Sequence, residues 1–167
     1  PIAAVMASEK VVNAILAGSG KLWNGHTYMS HAVATAGAMA VMREIEERDL
    51  LSEVRRLGER LSSGLRARLG QHPHVGDIRG RGLFWTAEVV ADRATKEPFD
   101  VKLNMAGSIL NTAKDAGVIC YPSHGCADGT SGDHVLLAPC FTSTDAEIDT
   151  IVDVMATTIE TETAKAA

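Results

Sequence analysis

The sequence predicts an α/β protein of the α+β kind, in which a small sheet is covered by helices. From Leu50 onward the periodic apolar patterns occur in the order helix, strand, helix, strand, strand, helix, which suits such layers. Residues 1–48 do not continue this pattern, although a chain of 167 residues can hold one domain and part of another. We therefore predict that residues 1–48 form the end of a larger domain with a connecting helix, and that residues 49–167 form a small domain.

The first part of the chain predicts a β-like apolar segment followed by two helices. Ser8 can cap a short helix that runs to about Leu16, before the glycines at 18 and 20 interrupt it. After a loop over residues 21–30, a helix of small apolar residues begins at His31 and becomes charged toward Arg48. Such small side chains let another backbone approach closely, so we expect the first half of this helix in an interior or against a partner subunit.

The second part predicts three helices and three strands. Asp49 is placed to cap a long one-sided leucine helix, and residues 83–90 are rich in strand-forming residues after an expected turn at Gly80-Arg81-Gly82. A helix is expected over residues 101–116, closed by Gly117, and short strands over residues 118–121 and 134–138 flank a loop. Thr144 and Glu147 form a capping box for the last helix, which we expect to fray after Glu160.

Composition excludes several functional classes. The residues are 46% hydrophobic and 22% charged, which is typical of a globular protein. The net charge is −5, and acidic and basic residues alternate along the helices, so we expect no basic surface for nucleic acid. The sequence has neither an apolar run of bilayer length nor a signal-peptide start, which predicts a cytoplasmic protein without membrane contact. The cysteines are three in number, an odd and sparse set that favours reduced thiols over disulfides.

Three weaker patterns invite site hypotheses. Residues 18–21 look like a phosphate loop, but Leu22 stands where Ser or Thr is needed. Residues 120–134 hold two cysteines and two histidines, but without the paired spacing of a zinc site, so we predict no metal. Arg79 and Arg81 could grip a carboxylate, although an exposed turn is the simpler interpretation.

Four stretches of the chain together resemble class III aminotransferases, the pyridoxal-phosphate enzymes of fold type I. The most specific is Trp23-Asn24-Gly25-His26-Thr27-Tyr28-Met29-Ser30-His31 with the small-residue helix after it. The other three stretches follow in the family's order, namely Pro1-Ile2-Ala3-Ala4-Val5, Val75-Gly76-Asp77-Ile78-Arg79-Gly80-Arg81-Gly82-Leu83 and Leu136-Leu137-Ala138-Pro139. They cover nearly the whole chain, and the likeness is greatest to the ω-amino acid and amine:pyruvate type.

The resemblance implies the C-terminal small domain of such an enzyme, with a mostly antiparallel sheet, preceded by the tail of the large domain. It implies pyridoxal 5'-phosphate as cofactor and a homodimer, in which Thr27 donates its hydroxyl and amide to the cofactor phosphate of the neighbouring subunit. Short hydroxyl residues beside glycine suit an anion in this way. Tyr28 and His26 flank the site. The alternative for Thr27 is that it only caps the following helix.

The resemblance also implies that no catalytic residue lies in this chain. The family's Schiff-base lysine, its pyridinium-binding aspartate and its glycine-rich phosphate cradle lie upstream of the part that Pro1 to Val5 resembles. Lys10 and Lys21 do not match the lysine's position and are expected to be surface residues. Because transamination needs the amino group of that Schiff-base lysine, we expect this chain alone to be inactive.

For the parent enzyme, the resemblance implies an ω-amino acid or amine as donor and a keto acid such as pyruvate as acceptor. Two departures concern the substrate: Gly132-Asp133-His134 occupies the stretch where many relatives carry a carboxylate-binding arginine, and Cys140 replaces a proline. An aminomutase or decarboxylase of the same fold would share the motifs. A non-catalytic oligomerisation module is the alternative from another class.

Overall fold

A computed structural model describes residues 2–166 of the chain. It divides into two compact units, with the boundary between Asp49 and Leu50. The interpretation of these units as the end of a large domain and a small domain stays a prediction.

The first unit contains two helices, α1 (Glu9–Ala17) and α2 (Ala32–Glu47). Residues 2–7 have no regular structure, so the β-like prediction is wrong for them, and Pro1 lies outside the described residues. A strand needs a neighbour to satisfy its backbone groups, and residues 2–49 contain no strand. None of residues 2–49 is buried, and large apolar side chains such as Met6, Trp23 and Tyr28 are mostly exposed.

The second unit is a four-stranded antiparallel sheet packed with three helices, which confirms the predicted fold class. The strands are β1 (Val75–Arg81), β2 (Phe84–Val89), β3 (Tyr121–His124) and β4 (Asp133–Leu137), in the order β1-β2-β4-β3. The helices are α3 (Leu50–Leu69), α4 (Met105–Asp115) and α5 (Asp145–Ala166). One apolar stripe of α3 is fully buried in the shared core, as its three- and four-residue spacing predicts, namely Leu57, Leu61, Leu65 and Leu69.

Strand β1 was not predicted, and the expected turn lies later than Gly80. The β1–β2 hairpin turns at Gly82 and Leu83, and Gly82 has a φ of 57°, which favours glycine. Its carbonyl accepts a hydrogen bond of 2.7 Å from Trp85 Nε1. Helix α3 approaches this turn at Gly58, where a Cβ atom would lie 2.5 Å from the carbonyl carbon of Gly82.

Strand β1 lies at the edge of the sheet, and three basic side chains donate to its carbonyls. Arg66 Nη2 lies 2.8 Å from the carbonyl oxygen of Ile78, and Arg93 Nη1 lies 3.3 Å from that of Val75. Lys96 Nζ donates to the carbonyl of Gly76, at the irregularity between Val75 and Asp77. Three backbone acceptors of β1 are therefore satisfied by side chains.

Several predicted boundaries are confirmed and others are shifted. The capping box is formed, because Thr144 N donates to Glu147 Oε2 at 2.7 Å and Glu147 N donates to Thr144 Oγ1 at 3.3 Å. Gly117, with a φ of 92°, closes α4 as predicted. Helix α4 begins at Met105 rather than residue 101, because Asn104 is left-handed after a 3-10 turn.

The last helix does not fray after Glu160, contrary to the prediction. Helix α5 continues to Ala166, with Thr163 buried and its hydroxyl bonded to the Ile159 carbonyl at 2.7 Å. Strand β3 is also displaced from the predicted residues 118–121 to Tyr121–His124. No helix within residues 2–166 combines the length and apolar character that a bilayer crossing requires.

Candidate functional site

The candidate phosphate-binding residues lie in an exposed turn before helix α2. Met29 N donates to the His26 carbonyl at 3.0 Å and His31 N donates to the Tyr28 carbonyl at 3.3 Å, so two overlapping turns shape the loop. Ser30 takes a left-handed conformation with a φ of 60°, which reverses the chain just before the helix. His26, Thr27 and Tyr28 are all exposed.

Helix α2 is capped by His31 and not by Thr27. The Nδ1 atom of His31 accepts a hydrogen bond of 3.3 Å from the Ala34 amide, and the His31 carbonyl accepts from the hydroxyl of Thr35 at 3.0 Å. The helix begins at Ala32, five residues after Thr27. A capping role for Thr27, the alternative to phosphate binding, is therefore excluded by its position.

The donors of Thr27 suit an anion. Within residues 2–166, neither the hydroxyl nor the amide of Thr27 donates a hydrogen bond, and the amide of Tyr28 donates none. Three donors on consecutive groups of one exposed turn can converge on the oxygens of a phosphate. The residues present thus fit the phosphate of pyridoxal phosphate.

A concave apolar surface adjoins this turn within the first unit. It encloses about 690 Å³, which is within the range of small-molecule pockets, and residues 2–4, residues 28–31, His26 and three small residues of α2 line it. His26 and Tyr28 are therefore brought together, whereas Thr27 is not among the lining residues. The rings of Tyr28 and His31 meet edge to face, with their centroids 6.2 Å apart.

The two lysines of the first unit are surface residues. Lys10 is exposed on α1, and the Nζ of Lys21 lies 3.8 Å from the centroid of the exposed Trp23 ring, a cation–π contact. Neither lines the concave surface. Their placement agrees with the expectation that they are solvated.

The arginines that sequence reasoning placed in a turn belong to strand β1. Arg79 donates to Asp77 Oδ2 at 2.9 Å and to Glu88 Oε2 at 2.8 Å, so its guanidinium already pairs with two carboxylates of the chain. Arg81 ends the strand and is exposed. A substrate carboxylate would have to compete with Asp77 and Glu88 for Arg79.

The cysteines and histidines of residues 120–134 do not assemble a metal centre. Across residues 2–166, no group of three or more His, Cys, Asp or Glu side chains has suitable metal-binding geometry. All three cysteines are free; burial raises the pKa of the Cys120 thiol, and partial desolvation together with the nearby Glu88 raises the pKa of the exposed Cys126 thiol, which disfavours the reactive thiolate.

The burial of Asp133 was not predicted from the sequence. Gly132-Asp133-His134 was treated only as a departure from the family pattern, but Asp133 begins β4, is buried and borders a cavity. An aspartate beside a glycine is typical of an exposed turn, so the sequence pattern does not predict that this side chain is buried.

Comparisons with known proteins agree on one family. The model of the family described as "Aminotransferase class-III" matches residues 1–159. An "Aminotransferase" of Gibberella zeae is 42% identical over 91% of this chain and 30% of its own length. The taurine–pyruvate aminotransferase of Bilophila wadsworthia is 38% identical over 75% of this chain and 27% of its own length.

A solved structure agrees with these relatives. The PLP-bound aminotransferase mutant from Vibrio fluvialis is 30% identical, has a TM-score of 0.81, and is matched over 95% of this chain and 33% of its own. The chain thus spans about a third of the length of the proteins it matches. From the match over residues 1–159 and the shared fold, the chain belongs to the class III aminotransferases.

Proposed function

We propose that this chain is part of a pyridoxal-phosphate-dependent aminotransferase that moves an amino group from an ω-amino acid or related amine to a keto acid such as pyruvate. Similarity to the taurine–pyruvate aminotransferase supports this substrate class. The cofactor, when bound, supplies the electron-withdrawing ring that lets an amino group pass between donor and acceptor. The observation that carries the proposal is the set of free donors at Thr27 and Tyr28 beside the capped start of α2.

Thr27 is proposed to bind the cofactor phosphate through its hydroxyl and its backbone amide. Its exposure and its lack of a hydrogen-bond partner within residues 2–166 support this role. Because α2 is capped by His31, Thr27 can donate to an anion without loss to the helix. The role of the residue is to position the cofactor, not to move a proton.

Tyr28 and His26 are proposed to flank the phosphate and to line a subunit interface. Both line the concave surface that encloses about 690 Å³, and this mostly apolar surface can pack against a segment of another subunit. The exposed small residues of α2 extend this surface. We propose that a second subunit and the rest of the enzyme cover it, since an apolar patch of this kind is seldom left to solvent.

This assembly proposal can be tested on residues 1–167 alone. Light scattering should find dimers or larger species, because the apolar surface lacks its cover. The variant Val33→Asp places a charge at an exposed position of α2 and should therefore increase the monomer fraction. A monodisperse monomer for the unsubstituted chain would contradict the proposal.

The phosphate contact is tested in the full-length enzyme with Thr27→Val, which keeps the shape of threonine and removes its hydroxyl. Loss of a hydrogen bond to a charged group should weaken cofactor affinity roughly tenfold, measured by titrating the cofactor-free enzyme. Thr27→Ser should restore most of the affinity. Thr142→Val, a change at an exposed threonine elsewhere, is the control. Unchanged affinity in Thr27→Val would overturn the assignment.

The reaction is tested by supplying the full-length enzyme with taurine or β-alanine and pyruvate. Formation of alanine with consumption of pyruvate is the expected result. A decarboxylase would instead release carbon dioxide, and an aminomutase would isomerise the donor without consuming pyruvate. Either of these results would exclude amino transfer.

We also propose that residues 1–167 alone are inactive, because the resemblance assigns the cofactor-binding lysine to an upstream segment. The exposure of Lys10 and the contact of Lys21 with Trp23 support this view. Incubation with cofactor, reduction with borohydride and peptide mapping should reveal no stoichiometric lysine adduct. A stoichiometric adduct on Lys10 or Lys21 together with turnover would refute it.

A further inference from the structure

A cavity in the second unit has the features of a small-molecule binding site. It has a volume of about 210 Å³ and lies among the turn before α4, the end of β3 and the loop into β4. Its lining consists of Val101, Asn104, His124, Thr130, Gly132 and Asp133. One apolar residue and several polar residues thus line a common space.

Asp133 carries the carboxylate of this lining, and only one of its two oxygens accepts a hydrogen bond from residues 2–166. The residue is only 7% exposed, and its Oδ1 accepts a hydrogen bond of 3.2 Å from the Ala106 amide in the first turn of α4. Its Oδ2 accepts no hydrogen bond from residues 2–166, and no salt bridge within that range includes Asp133. A buried carboxylate with one idle oxygen costs folding free energy unless a donor reaches it.

The idle oxygen of Asp133 is not fully enclosed by protein atoms. Among residues 2–166, only His134 Nδ1 is a fully enclosed side-chain polar atom without a partner, so Asp133 Oδ2 keeps access to open space. Asp133 is among the residues that line the cavity. Burial raises the pKa of the Asp133 carboxyl, whereas the Ala106 amide and the nearby His124 and His134 act in the opposite direction. A cationic donor in the cavity would favour the ionised carboxylate.

We propose that this cavity binds the ammonium group of a small primary amine, with Asp133 Oδ2 as the charged acceptor. Thr130 and Asn104 also line the cavity and carry a hydroxyl and an amide oxygen that can accept, and an ammonium group has three donors. The methylene chain of the amine lies against Val101. This inference does not rest on the proposed function, since it uses neither the cofactor nor residues 26–28.

Size and ligand chemistry favour an organic amine over a single inorganic ion. The cavity of about 210 Å³ is several times the roughly 30 Å³ that one water molecule occupies, so a bare ion would leave most of it empty. Within residues 2–166, no cluster of three His, Cys, Asp or Glu side chains offers a divalent metal its ligands. One carboxylate, by contrast, matches one positive charge.

The test is a titration of the chain of residues 1–167 with propylammonium chloride, followed by ¹H–¹⁵N NMR. The amide signals of Ala106 and Asp133 should shift with saturation, since the ligand contacts the acceptor of the Ala106 amide. Asp133→Asn keeps an Oδ1 acceptor for that amide but removes the charge, and should weaken binding about tenfold. Asp128→Asn is the matched control, because it removes an equal charge from an exposed aspartate of the same loop.

A second variant guards against misfolding of Asp133→Asn. Thr130→Val leaves the carboxylate in place and should weaken propylammonium binding about threefold through the loss of one acceptor. Circular dichroism establishes which variants fold. Absence of a saturable shift, equal affinity in all three variants, or equal binding of propionate would overturn the proposal. Equal binding of potassium chloride would replace the amine by an inorganic cation and would also overturn it.

Discussion

Replacing Gly58 by alanine should destabilise the second unit, although alanine is the better helix former. Gly58 lies inside α3 and faces the β1–β2 turn. An added Cβ would lie 2.5 Å from the carbonyl carbon and 2.9 Å from the Cα of Gly82. Both are backbone atoms, so no side-chain rotation can relieve the contact.

The magnitude follows from three contributions. Alanine gains about 1 kcal/mol of helix propensity over glycine. Overpacking against a rigid neighbour costs about 2 kcal/mol. Displacement of Gly82 would also break the 2.7 Å hydrogen bond from Trp85, worth about 1 kcal/mol. The net expectation is a loss of about 2 kcal/mol in the free energy of unfolding.

Gly64→Ala is the matched control, because Gly64 lies in the same helix and gains the same propensity. Its Cβ would lie 2.9 Å from a methyl carbon of Val152, a side chain that can adjust. Urea unfolding, followed by circular dichroism and by tryptophan fluorescence, in which Trp85 reports on the second unit, gives both free energies. If Gly58→Ala proved as stable as Gly64→Ala, the close approach of α3 to the hairpin turn would be wrong.

Three further predictions use the same unfolding assay. Thr144→Ala should cost about 1 kcal/mol through loss of the capping box, and no loss would contradict that role. Ile109→Ala should cost about 3 kcal/mol, because the side chain is fully buried, and a loss below about 1 kcal/mol would mean that the site collapses. Burial and the nearby His74 lower the pKa of His72 in the folded protein, so His72 binds its proton more tightly in the unfolded state than in the folded state. The free energy of unfolding should therefore decrease as the pH drops below the ordinary histidine pKa of 6.5. The variant His72→Asn, whose Oδ1 can accept the same hydrogen bond from the His74 amide, should reduce this dependence of stability on pH. An equal pH dependence in both proteins would refute the linkage.

Features encoded by neighbouring residues could be predicted from the sequence. The capping box of Thr144 and Glu147 and the closing Gly117 depend on contacts within a few positions, and both are confirmed. The apolar stripe of α3 is likewise a local periodicity that burial follows.

Features that depend on distant partners could not be predicted in this way. Strand β1 contains two glycines and three charged residues, so its strand propensity is low, and pairing with β2 and contacts from Arg66 and Lys96 hold it instead. The end of α5 looks polar, yet Thr163 is buried there. Tertiary packing overrides local propensity in both places.

The candidate site shows the same division. The turn with His26, Thr27 and Tyr28 was found through family resemblance, whereas local rules alone would have made Thr27 a helix cap. The structure assigns that cap to His31, a residue type that capping rules rank low. The exposed donors at Thr27 and the cavity at Asp133 both require the folded chain to be recognised.

The basic side chains along β1 bear on how copies of this protein can meet. A strand from another molecule extends a sheet only when the border strand offers free backbone acceptors, and Arg66, Arg93 and Lys96 already take three of these. The same charges would repel a second copy brought against this border. Association through β1 is thus disfavoured, which directs self-assembly toward other surfaces and limits fibre-like growth at high protein concentration.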